Sequence, residues 1–265
     1  MKNKEMLSLL SIITLATFIV GYSIAMPHNQ TTIKEPQLHI YSHRGASGEE
    51  VEHTFAAYDL AILYGSNFIE QDLVTSKNGT LYVSHDKSAK RITGVDKKYV
   101  DLTDDEINKL RTSSNEPIYT MDAVFKRYKD NVNYVIELKD GSSQVDKFKK
   151  LVKDSGLEEN IIVQSSDLKT MKELETIFPD MQKLCLVSNQ RQLDNSLKED
   201  SVDIVGMVST LMTTQNINLV HKSHKKADVW TLNSMTQIKS AIDLNVDTYF
   251  TNFTAKAFVM EDKYR

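Results

Sequence analysis

The stretch YSHRGASGEEVEHTFAAYDLAILYGSNFIEQDLVTSKNGTLYVSHD (41–86) sets His43 and Arg44 at the end of one apolar run. It places Glu70 and Asp72 inside the next, and His85 and Asp86 at the end of a third. Histidine titrates near neutral pH, so a pair of them can take a proton from one group and give one to another. Glu70 and Asp72 stand two apart in a strand-like run and therefore point to the same side. An isolated acidic residue is usually a surface group. Two on one face of an apolar strand cost too much to bury without a partner. A structural explanation has to bury or solvate each of these charges separately, whereas a single site uses them together.

The elements that would position them are legible as an alternation. Eight apolar runs follow one another: LHIYSH (38–43), FIEQDLVTS (68–76), NYVIELK (133–139), NIIVQSS (160–166), KLCLVS (183–188), DIVGMVS (203–209), DVWTLN (228–233) and DTYFTN (247–252). Between them lie amphipathic stretches such as EHTFAAYDLAILYG, QVDKFKKLVKDSG, SDLKTMKELETIF and SMTQIKSAIDLN, several opening on Ser, Asp or Thr and closing on Gly or Asn as capped helices do. Strands alternating with helices predict an α/β fold with a parallel sheet, and eight units fit a (β/α)8 TIM barrel better than an open doubly wound sheet. GTLYVSH (79–85) reads as an extra strand in a hairpin with the second barrel strand, and residues 87–131 as a small insertion after that strand. In such a barrel the chemistry sits at the C-terminal ends of the strands. His43, Glu70, Asp72, Glu137, Lys139, Gln164 and Trp230 all interrupt the apolar runs at or near that rim.

Bulk properties narrow the function classes. Cys185 is the one cysteine, which excludes an internal disulfide and any cysteine-built metal site. A formal net charge of -4 offers no basic field for nucleic acid, and nothing in the sequence implies an obligate protein partner. Lys2 and Lys4 precede an uncharged run, LSLLSIITLATFIVGYSIAM (7–26), which predicts export of the downstream chain and an extracytoplasmic location. Its 20 residues reach the roughly 17–25 needed to span a bilayer, while SIA (23–25) resembles a small-x-small cleavage site. Residues 1–26 therefore read as a signal peptide or a signal anchor giving membrane association, 27–37 as a linker, and 38–265 as the catalytic barrel.

HRG (43–45), VEHT (51–54), GSNFIEQDLVTSKNGTLYVSHD (65–86) and VIELK (135–139) resemble the glycerophosphodiester phosphodiesterase family, in which HRG, P-E-N-T, E-x-D, H-D and E-x-K occur in this order. RITG (91–94), EPIYTMDAVF (116–125), VQSS (163–166) and VWTLN (229–233) extend the resemblance over essentially all of residues 38–252. It implies a (β/α)8 barrel, in agreement with the strand count. It also implies a divalent metal, Ca2+ or Mg2+, held by Glu70, Asp72 and Glu137; hard cations take oxygen ligands. His43 and His85 match the two catalytic histidines. Their roles are open, with a leaning to His43 as base and His85 as acid. Arg44 matches a phosphate-binding arginine and Lys139 a second cation at the phosphate. Glu52 and Gln164 are candidates to support the ligands, although Glu52 could equally touch metal or substrate. Trp230 reads either as an apolar wall for the substrate or as a core residue. His28, His39, His221 and His224 read as structural.

The sequence departs from the family pattern at two places. VEHT has Val51 and His53 in place of Pro and Asn, leaving His53 either at the site or facing solvent. FTNFT (250–254) has Asn252 and Thr254 where the family shows Asp and Pro, which puts the rim shape in question. The function implied is metal-dependent hydrolysis of a small glycerophosphodiester to glycerol 3-phosphate and an alcohol. Two other substrates fit the same barrel, a lysolipid or an envelope glycerophosphate polymer, and an apolar rim within 87–131 would favour a lipid. A catalytically weak, membrane-tethered binding domain is the alternative of another class.

Overall fold

The structure, a computed structural model, describes residues 39–264; residues 1–38, and with them the predicted export segment and the whole predicted linker, lie outside the described residues. Nine strands form one sheet: β1 (His39–Ser42), β2 (Phe68–Thr75), β3 (Leu81–Val83), β4 (Asn133–Leu138), β5 (Ile161–Ser165), β6 (Gln182–Val187), β7 (Ile204–Val208), β8 (Lys226–Trp230) and β9 (Thr248–Thr251). Eight are parallel and close on themselves, because β1 pairs with both β9 and β2. The ninth, β3, is antiparallel to the end of β2, as the hairpin reading expected. The eight predicted runs are the eight barrel strands. Among the described residues no helix is long and apolar enough to cross a membrane.

Local chemistry sets the connections. Thr54, Asp167 and Ser234 each turn a side-chain oxygen onto the first-turn N–H groups of the helices Phe55–Leu63, Leu168–Ile177 and Met235–Asp243. The main core lies between the strands and the surrounding helices. Inside the barrel, alternate strand residues build an apolar floor of Tyr41, Val135, Ile162, Leu184, Ile204 and Phe250. The 87–131 insertion packs through its own small cluster, with Tyr99, Leu102, Ile107 and Ile118 against Val74 and Tyr82.

Candidate active site

Above the floor the inward positions become polar. The register of β2, β4 and β5 sets Asp72 beside Glu137 and Glu137 beside Gln164. Glu70 and Asp72 are each 1% exposed, so their charges have almost no help from water. Oxygens of Glu70, Asp72 and Glu137 all lie within 4.8 Å of one another, and Gln164 Nε2 donates to Glu70 Oε1 at 3.0 Å. Burial and the neighbouring Asp72 charge hold Glu70 well above the usual carboxylate range and push Glu137 up to about 8. Burial acts on Asp72 too, but a hydrogen bond from His53 and the Lys139 ammonium overcome it and keep that carboxyl well below its usual range. Three crowded carboxylates, two of them resisting ionisation, form an all-oxygen donor set suited to a hard divalent cation.

Arginine, lysine and the histidines ring this triad. The HRG turn needs left-handed backbone at Arg44 (φ 60°) and Gly45 (φ 83°); a Cβ on Gly45 would meet the Ala57 backbone at 2.6 Å. The turn delivers the Arg44 backbone N–H to Glu70 Oε2 at 2.9 Å, with Nε 3.3 Å from Asp72 Oδ2 and Nη1 3.2 Å from Glu52 Oε2. Lys139 Nζ lies 3.0 Å from Glu137 Oε2 and 3.4 Å from Asp72 Oδ1. His43 Nδ1 meets Asn252 Oδ1 at 2.7 Å. An amide oxygen can only accept, so this contact places the proton on Nδ1 and leaves Nε2 with its lone pair. Burial and the Arg44 charge pull His43 down to about 4, which keeps the ring neutral at neutral pH.

His85 stands in a different setting. Its Nδ1 meets a carboxylate, Asp86 Oδ1, at 2.8 Å. Asp86 Oδ2 accepts from Arg91 Nε at 2.5 Å, and Arg91 forks onto Glu52 at 2.7 and 2.9 Å. Burial lowers His85 below its ordinary value, and Asp72 and Asp86 offset part of that. Glu52 is held near 2 because hydrogen bonds from Arg91 and the Arg44 charge outweigh its burial. Trp230 ends β8 half-buried on the barrel floor, its Nε1 donating to Gly206 O at 2.8 Å.

All ten residues singled out in the sequence thus lie at the C-terminal mouth or directly beneath it. Glu52 proves to be engaged by two arginines. His53, left open by the sequence, is buried in the site, with Nε2 3.0 Å from Asp72 Oδ2 and Nδ1 2.9 Å from Tyr58 Oη. Sequence reading gave no role to Arg91 or to the Asn252 contact. These residues lie 39 and 209 positions from their partners Glu52 and His43, so no local pattern signals the pairing. His221, read as structural, is satisfied by Asp247 at 2.8 Å.

A closed parallel barrel with three crowded carboxylates, two histidines and two cationic side chains at its C-terminal mouth has the layout of a (β/α)8-barrel enzyme. The family model described as glycerophosphoryl diester phosphodiesterase matches residues 43–256, and the chain belongs to that family of enzymes. The Bacillus subtilis protein YhdW is 28% identical over 239 residues, covering 85% of this chain and 98% of its own length. The glycerophosphodiester phosphodiesterase of Bacillus subtilis is 26% identical over 243 residues, covering 80% of this chain and 82% of its own. In fold, the chain is similar to an Oleispira antarctica phosphodiesterase whose structure was solved with the product sn-glycerol-3-phosphate. The TM-score is 0.76 at 18% identity, over 84% of this chain and 96% of that one.

Proposed function

We propose that the protein hydrolyses glycerophosphodiesters to glycerol 3-phosphate and an alcohol, with His43 as general base and His85 as general acid. The observation that carries the assignment is the unlike partner on each Nδ1. His43 faces a neutral amide and presents a free lone pair, so it can accept the proton of the attacking hydroxyl. His85 faces the Asp86 carboxylate, which favours an imidazolium that can protonate the departing alkoxide. Burial pulls His85 the other way, and a bound phosphate anion would act with Asp86 to offset that pull. Arg44 and Lys139, already converging on the triad, are placed to take the phosphoryl oxygens and the charge that develops on them. Glu70, Asp72 and Glu137 would hold a divalent cation, which we assign as Ca2+ or Mg2+ from their all-oxygen character. When bound, that cation supplies Lewis-acid stabilisation of the phosphoryl group. His53 and Gln164 orient Asp72 and Glu70 for it.

The layout we propose is an export segment at 1–26, a linker at 27–37 and the catalytic barrel from 38 onward, acting outside the cytoplasmic membrane. Lys2 and Lys4 before the uncharged 7–26 run support it. Protease accessibility of the barrel in intact cells checks the location.

The reaction is tested by product analysis with the full chain on glycerophosphoglycerol and glycerophosphocholine. Release of glycerol 3-phosphate, abolished by a chelator and restored by Ca2+ or Mg2+, is expected. Release of phosphocholine and glycerol, or no hydrolysis of either compound with either metal, would contradict the assignment.

A further inference from the structure

A groove of about 1030 Å³ opens beside the catalytic mouth and shares Lys139 with it. Its walls are the turn after β2, the segment around Lys98 of the 87–131 insertion, the loop after β4 and the start of the helix Leu168–Ile177. Six lysines line it against two aspartates, in a chain whose formal net charge is -4. Both aspartates are already engaged: Asp140 by Lys87 at 2.7 Å, and Asp167 in capping its helix. Among the described residues Lys77, Lys98 and Lys147 have no carboxylate partner. Ammonium groups gathered round one concavity without counter-charges repel one another, and an anion seated there relieves that.

The groove also exceeds what one small diester requires, since pockets for whole drug-sized ligands run about 300–1,000 Å³. The reacting phosphate is already provided for by Arg44 and Lys139. Lys87, which lines the groove, follows His85 by two residues, so the groove starts on the side where His85 would release the alcohol. A cationic alcohol such as choline would leave through a field of like charge, whereas an alcohol carrying its own phosphates would be held. The rim contributed by the insertion is lysine-bearing, with Val100 as its exposed apolar residue, which does not make the apolar face a lipid needs.

We propose that this groove is an anion subsite for the leaving side of the substrate, so that the enzyme prefers water-soluble diesters whose alcohol bears further phosphates, such as glycerophosphate oligomers. The inference rests on the phosphodiesterase reading above for turnover, but binding tests it separately. The probe is a short poly(glycerophosphate) titrated calorimetrically into the full chain, with chelator present to stop hydrolysis, beside the double variant Lys98→Glu/Lys147→Glu. Salt-sensitive binding by the wild type, weakened about tenfold in the double variant, is expected for two partly exposed charge contacts. In turnover assays the double variant should raise KM for the oligomer but not for glycerophosphocholine, whose cationic alcohol then meets a weaker field of like charge. Equal effects on both substrates, or no oligomer binding by the wild type, would overturn the subsite even if glycerophosphocholine is cleaved. Binding to phosphatidylglycerol vesicles without binding to the oligomer would also overturn it, and would assign this face to a membrane. Oligomer binding that depends on Lys98 and Lys147, with no hydrolysis of any diester, would uphold the subsite and overturn the phosphodiesterase reading instead.

Discussion

At the residue scale the two departures from the family pattern both reach into the site. Asn252 gives His43 Nδ1 a neutral acceptor at 2.7 Å, where aspartate would add a negative charge. A carboxylate beside the ring favours imidazolium, so Asn252→Asp should raise the His43 pKa from about 4. The base works only when neutral, so the acid limb of the kcat/KM profile should move to higher pH in this variant. A limb that stays in place would remove His43 from the base role. His53 stands in the motif where asparagine is usual, and its ring ties Asp72 to Tyr58. Freed of that tie, Asp72 loses its fixed orientation. His53→Ala should therefore weaken divalent-metal affinity about 10–100-fold, the usual effect of removing a ligand's supporting partner. A metal titration followed by calorimetry or by recovery of activity reads this directly. The sequence named both positions as departures. It could not say that one would hold His43 and the other Asp72, because each contact depends on where a distant strand end falls.

At the scale of elements, period-2 alternation did most of the positioning. Alternation in FIEQDLVTS puts Glu70 and Asp72 on one face, and the register of β2 and β4 then sets Asp72 beside Glu137 above an apolar floor. The shared face followed from the sequence pattern. The ion-pair chain from His85 through Asp86 and Arg91 to Glu52 did not, because it joins the insertion to the segment after β1 across 39 residues. The HRG turn is the most demanding local element. Gly45 has both a left-handed φ and no room for a Cβ. Gly45→Ala should lose more than about 1 kcal/mol of stability from conformation alone, with a further penalty from the clash. The same substitution should lower kcat/KM more than the stability change accounts for, since it displaces the Arg44 N–H from Glu70. Thermal melts and kinetics on one preparation separate the two effects.

For the whole molecule, the acidic triad makes folding, metal and pH interdependent. Without a cation Glu137 titrates near 8, above its ordinary 4.5. Between those values the native protein binds a proton that the unfolded chain has released, so this group's contribution to stability is full below about 4.5 and is lost as pH rises through about 8. A cation takes over the proton's role, so saturating Ca2+ or Mg2+ should flatten this dependence, and metal binding near pH 7 should release protons. Melting temperatures across pH with and without chelator check the first expectation, and calorimetry in buffers of different ionisation enthalpy the second. The central claim, that the triad and the two histidines form one hydrolytic site, is tested most directly by steady-state kinetics on glycerophosphoglycerol. His43→Ala, His85→Ala and Glu70→Gln are compared with the wild type in the presence of divalent metal, with folding verified by circular dichroism. The account predicts that each histidine variant falls by about 10²–10⁴ in kcat and that Glu70→Gln loses its response to metal. A folded His43→Ala or His85→Ala that keeps wild-type kcat, or a Glu70→Gln that responds to metal as the wild type does, would contradict it.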